Sequence, residues 1–199
     1  STLRIAMLSV HTCPLAALGG KETGGMNVYV RELCRQLGRQ GVLVDIYTRQ
    51  QDPEAPRVKE IWPGVRIIHL SAGPIRAYPK GEVYNHLPEF VARLRQFVAE
   101  DGVGYDLIHS HYWLSGWVAR ELKRDWDVPI VHMFHTLGRM KDAVARTAAE
   151  REVDVRDKIE QEIMHFADHI VAATPLDKEQ MLGLYDADAA KISVIPCGV

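Results

Sequence analysis

"GGMNVYVRELCRQLGRQGVLVDIYT", residues 24–48, decides the fold. Val30, Leu33, Cys34 and Leu37 recur at i, i+3, i+4 and i+7, the spacing of one helix face. Gly41 follows where a helix end favours glycine. The chain then changes to "VLVDIYT" (42–48), apolar with little alternation, and "RIAMLSV" (4–10) upstream has the same character. Strand, helix, strand with an interval this long is a βαβ unit.

The pattern repeats. Further strands are expected at 65–71, 106–112, 129–135, 169–174 and 191–197. Runs apolar throughout suit strands covered on both faces. A second helical stripe joins Leu87, Phe90, Val91, Leu94, Phe97 and Val98, opened by Asn85 as cap and closed near Gly102. Further helices are expected over about 114–126 and 149–166, and a last one from Thr174-Pro175, a cap residue followed by proline at the first helical position. The architecture is α/β, a doubly wound, mainly parallel, Rossmann-like sheet. Ligands of such sheets bind beyond the carboxyl ends of the strands. His11, His111, Tyr112, His135, Thr136 and Thr174 stand there.

At 199 residues, with 47% hydrophobic and 25% charged side chains, the chain suits one soluble domain. Such a length buries roughly 70–75% of the unfolded surface. A net charge of −2 and a pI near 6.5 argue against a nucleic-acid partner. Cys13, Cys34 and Cys197 are odd in number and form no CxxC pair, which predicts a reducing, cytoplasmic setting without a structural zinc site. No run reaches a membrane span of about 18 residues.

Familiar phosphate loops are absent. Gly20-Lys21 is followed by Glu22, with Leu15 where a Walker loop needs its first glycine, and no G-x-G-x-x-G follows the first strand. The Gly24-Gly25 pair instead opens a helix, whose free N–H groups and dipole suit an anion. Glycines easing a turn are an equal alternative.

Other polar residues share the strand exits: Lys80, His109, His111, Tyr112, His135, Thr136, Arg139 and Lys141, with Arg151, Arg156 and Lys158 near the start of a long helix. His109 and His132 lie inside apolar runs and read as core histidines. His165 and His169 have metal-pair spacing without an HExxH glutamate and read as structural. Arg151 and Lys158 read as solvated helix charges.

"GGMNVYVRELCRQLGRQG", "DLIHSHYWLSGWVA", "FHTLGRMK", "HIVAATPLDKEQM" and "ISVIPCGV", in this order, resemble the amino-terminal half of a retaining GT-B glycosyltransferase of family 4. The likeness covers essentially all 199 residues. It is nearest to the inositol-phosphate N-acetylglucosaminyltransferases of mycothiol synthesis, with the sucrose-phosphate synthases next. The resemblance implies that residues 1–199 are the acceptor domain, and that a carboxyl-terminal domain outside this chain holds the nucleotide sugar, a UDP-sugar. It implies candidate catalytic positions at Gly25 and His135, and a donor-side loop of Gly24, Gly25 and Met26. Asn27 would bond an acceptor hydroxyl, and Lys80, Tyr112, Thr136 and Arg156 would grip the acceptor phosphate. Two cations and two hydroxyls suit a group carrying about −1.5 to −2 charges. Sucrose-phosphate enzymes show glutamine after the glycine pair, whereas this chain has Met26-Asn27, which favours the inositol-like acceptor over fructose 6-phosphate. The family chemistry needs no covalent protein intermediate, essential metal or other cofactor, and this half alone is expected to be inactive. A stand-alone binding or regulatory domain on the same scaffold, and a membrane-surface enzyme using Arg93 and Arg95, are the competing readings. A homo-oligomer is compatible with either.

Overall fold

At the centre of the computed structural model, which describes residues 1–16, 24–77, 79–140 and 154–198, lies strand β1 (Arg4–Leu8). It pairs in parallel with β2 (Leu43–Arg49) on one side and β5 (Leu107–His111) on the other. Both of its faces are covered, which is why its sequence does not alternate. Ile5 and Met7 pack with Val30 and Cys34 of α1 (Gly25–Arg39). Ala6 and Leu8 pack into the larger core with residues of α3 (Leu87–Asp101) and α4 (Tyr112–Lys123).

The remaining strands are β3 (Val58–Trp62), β4 (Val65–Leu70), β6 (Ile130–Met133), β7 (His169–Ala172) and β8 (Ile192–Val194). The eight-stranded sheet runs β3-β4-β2-β1-β5-β6-β7-β8. Only β3 is antiparallel to its neighbour. The order reverses at β1, so the crevice beyond the ends of β1 and β5 is the switch point where such sheets bind ligands.

Among the described residues, three further helices join the layers: α2 (Lys80–Val83), α5 (Asp154–Phe166) and α6 (Pro175–Tyr185). The α6 start is a full capping box, with Thr174 Oγ1 accepting from the Asp177 N–H and Asp177 accepting from the Thr174 N–H. Gly102 ends α3 in the left-handed conformation at φ 65°.

Two expectations change. Strand β3, "VKEIW", is an exposed edge strand, so it lacks the apolar run that marks the others. Asn85 caps nothing: it lies in a 3-10 turn (Tyr84–His86) that follows α2 directly, and His86 occupies the α3 N-cap. Lys80 opens α2.

Among the described residues no helix is long and apolar enough to cross a membrane. Arg95 is drawn into an ion pair with Asp125, and the apolar stripe of α3 is buried in the core.

Candidate functional site

Beyond β1 the chain turns inward. Ser115 Oγ of α4 accepts the Val10 N–H at 3.1 Å, and Ser9 Oγ donates to the Thr12 carbonyl at 2.9 Å. These bonds bury His11 and Thr12 at the floor of the crevice. Asn27 in the first turn of α1 donates through Nδ2 to Thr12 Oγ1 at 2.9 Å. Its Oδ1 is buried with no partner among the described residues, and so is His11 Nδ1. Buried polar atoms are nearly always satisfied, so these two stand out as unpaired within the described residues.

The N-terminus of α1 has no side-chain cap, and its first turn holds no acidic residue. Gly24 is extended at φ −119°, so backbone strain does not require glycine there. Among the described residues, a Cβ built at Gly24 or Gly25 would meet no atom within 4 Å. The space both glycines leave is open, and both line a cleft of about 1360 Å³. The cleft runs from α1 past Tyr29, His135 and Thr136 to the start of α6 and residues 195–198.

Tyr112, the residue after β5, is held at φ 75°, a left-handed conformation that costs a residue with a side chain of order 1–3 kcal/mol. Its ring is the hub of a cationic cluster. Lys80 Nζ lies 5.5 Å from the ring centre and Arg156 Cζ 4.8 Å. His11 leans on the same ring, with centroids 4.7 Å apart. Burial, then electrostatic interaction with Lys80, His135 and Arg156, pushes His11 down to about 3, so it is neutral near pH 7.

Arg156, on α5, is fully buried. Its Nη1 donates to the Tyr112 hydroxyl at 3.0 Å, and its Nη2 to both the carbonyl and Oγ1 of Thr136 at 3.0 Å. Glu160, one turn on, accepts from Nε at 3.2 Å. The other Glu160 oxygen accepts from the Gly138 N–H at 2.8 Å and the Tyr185 hydroxyl at 2.7 Å. Burial raises the Glu160 carboxyl, opposed first by the Arg156 charge. A Cβ at Gly138 would come within 3.0 Å of Glu160 Oε1 and 3.2 Å of Arg156 Nε. This glycine lets the backbone close onto the ion pair.

His135 follows β6 at φ 65°, and its Nε2 lies 2.8 Å from His111 Nδ1. The far nitrogen of His111 lies 3.0 Å from Met7 Sδ. The Tyr29 ring meets both imidazoles edge-on, with centroids 6.0 and 5.4 Å away. His135 is held neutral at about 4 by burial and then by His109.

The structure therefore brings Lys80, Tyr112, Thr136 and Arg156 into one cluster, joined by His11. Gly24, Gly25, Met26 and His135 lie along the adjoining cleft, and Thr136 belongs to both. Asn27 is buried at the junction. Arg139 stays apart, paired with Asp157 at 2.6 Å. Lys141 and Arg151 lie outside the described residues, and Lys158 is exposed. His109 and His132 are core histidines, bonded to the Val131 carbonyl and Ser110 Oγ. His165 is exposed, while His169 is taken by Ser193 Oγ at 2.7 Å. Cys13, Cys34 and Cys197 are free thiols. Among the described residues no three His, Cys, Asp or Glu side chains form a metal cluster. Thr12, Glu160 and Met7 went unread in the sequence. Only Glu160 left a signal, its i, i+4 spacing from Arg156.

Comparison with known proteins bears on the family and the fold. The model of Glycosyltransferase Family 4 matches residues 23–199. A D-inositol 3-phosphate glycosyltransferase of Kineococcus radiotolerans is 43% identical over 200 residues, covering 100% of this chain and 46% of that protein. The Corynebacterium jeikeium protein of the same name is 41% identical, covering 98% and 47%. Among solved structures, sucrose-phosphate synthase from Thermosynechococcus elongatus superposes with a TM-score of 0.90 at 38% identity, covering 99% of this chain and 48% of that one. The chain spans about half the length of the relatives it matches. Matched along nearly its whole length, the chain belongs to glycosyltransferase family 4.

Proposed function

We propose that this chain is the acceptor-binding domain of a retaining glycosyltransferase that moves a sugar from a nucleotide-sugar donor to a phosphorylated polyol, of the inositol-phosphate type. The observation that carries the reading is the pair of cations, Lys80 and Arg156, gathered on the Tyr112 ring beside the Thr136 hydroxyl. Lys80 and Arg156 supply the cations for a phosphate of about −1.5 to −2 charges. Charge-assisted bonds to such a group are the strong ones. The names of the relatives, inositol-phosphate transferases and a sucrose-phosphate synthase, point to phosphorylated small molecules.

In this reading Asn27 Oδ1 accepts the hydroxyl of the acceptor that reacts. The acceptor oxygen bonds to the anomeric carbon as the bond from that carbon to the donor diphosphate breaks, and the hydroxyl proton leaves with the diphosphate. The α1 N-terminus, open at Gly24 and Gly25, favours the charge growing on that leaving group. The domain contributes position and field, without a nucleophile. The donor itself is assigned to a second domain outside this chain.

Calorimetric titration of the 199-residue chain with myo-inositol phosphate, fructose 6-phosphate and unphosphorylated inositol tests the proposal. Inositol phosphate is expected to bind and inositol to bind at least tenfold more weakly, about 1.4 kcal/mol. Equal binding of the two inositols would refute the phosphate site. Preference for fructose 6-phosphate would move the acceptor to the sucrose-phosphate class.

A further inference from the structure

The contact chain from Met7 through His111 to His135 fixes where the hydrogens lie. A thioether sulfur carries no hydrogen and can only accept. Met7 Sδ sits 3.0 Å from His111 Nε2, closer than two facing lone pairs tolerate, so that nitrogen carries the hydrogen. His111 is fully buried, and burial, then the neighbouring histidines 109, 135 and 132, hold it neutral. A neutral imidazole with hydrogen on Nε2 has a bare Nδ1. This bare nitrogen lies 2.8 Å from His135 Nε2, so the hydrogen between the rings belongs to His135. His135 is also neutral, and its own Nδ1 is therefore bare. His135 lines the cleft, and among the described residues Nδ1 has no hydrogen-bond partner.

We infer that Met7 and His111 are positioning residues that lock His135 as its Nε2–H tautomer, so that Nδ1 meets a cleft ligand as a hydrogen-bond acceptor. Such a nitrogen takes a hydroxyl or amide hydrogen and repels a phosphate or ether oxygen. The inference rests on the proposed function only in making that hydroxyl a sugar's. It gives the cleft a way to tell the sugar face of a ligand from its phosphate face.

The test is a long-range proton–nitrogen correlation spectrum of the chain with 15N-labelled histidine at neutral pH, assigned by His111→Gln and His135→Gln. Both rings are expected as Nε2–H tautomers. In Met7→Leu, a swap of nearly equal volume that cores tolerate, the sulfur acceptor is gone. His111 then gains by moving its hydrogen to Nδ1, and His135 is expected to shift toward the Nδ1–H form. An Nδ1–H His135 in the unsubstituted chain would overturn the inference, as would a His135 signal unmoved by Met7→Leu. No carbohydrate is present in the measurement, so its failure leaves the acceptor titration standing, and failure of the titration leaves the tautomer standing.

Discussion

Arg156 binds Tyr112 in two ways at once: Nη1 donates to its hydroxyl at 3.0 Å, while the guanidinium carbon lies 4.8 Å from the centre of the ring. The tyrosine is therefore fixed at both its polar tip and its face, despite its left-handed backbone. Arg156 in turn is tied to Glu160 within a fully buried pair. This makes the two cations of the cluster unequal as experimental targets.

Lys80→Ala is expected to weaken a phosphorylated acceptor roughly 10- to 150-fold, the loss of one charge-assisted bond, with a smaller loss of melting temperature than Arg156→Ala. Arg156→Ala leaves Glu160 buried without its cation, and breaking such a pair costs about 3–5 kcal/mol. Its melting temperature should fall on the order of 10 °C. Calorimetry and thermal melts of both variants check the contrast.

Gly25→Val probes the open space at the α1 start. Because an added Cβ meets none of the described residues, stability should change by no more than about 1 kcal/mol. Turnover in a full-length transferase carrying this domain should be abolished, since the side chain projects where ligand approaches. An active variant of normal stability would show that the glycine pair serves only the turn.

Acid should unfold the chain early. His11 at about 3 and His135 at about 4 lie below the ordinary 6.5, and His109, His111 and His132 are lowered by burial as well. Between pH 6.5 and 4 the unfolded chain takes up protons that the folded chain refuses, so stability falls as pH falls. Each such histidine contributes a slope of about 1.4 kcal/mol per pH unit. Calorimetric melts should drop steeply from pH 7 to 5. A flat profile there would contradict the neutral buried rings.

Nucleotide should not bind tightly to this chain. UDP titrated into the 199 residues is expected to show no micromolar affinity, because the donor's phosphates are proposed to be held chiefly by a second domain, with the N–H groups at the α1 start as a minor contribution. Micromolar binding would place the donor site here and reverse the proposed division of labour.

Much of this was readable in the sequence because burial leaves a periodic trace. The stripe from Leu87 to Phe97 and the Thr174 cap with proline after it both appear in the structure as read. Strand β3 escaped because an edge strand needs no apolar run, and Asn85 misled because the preceding turns continue into α3. The exits of β1, β5 and β6 were legible as polar residues ending apolar runs. The orphaned Asn27 oxygen, the Glu160 brace and the Met7 contact were not. The Glu160 brace is completed by Gly138 and Tyr185, 22 and 25 residues away, and the Met7 contact depends on a partner far along the chain, 104 residues away at His111.

The same separation governs assembly during synthesis. Strands β1, β2, β4 and β3 with α1 are complete by Leu70, yet the other edge of β1 pairs with β5, which begins at Leu107. At about 5–20 residues per second on the ribosome, β1 waits several seconds with that edge unpaired. His11 and Tyr112 follow the two strands whose pairing ends the wait, so the crevice comes into being as the sheet closes.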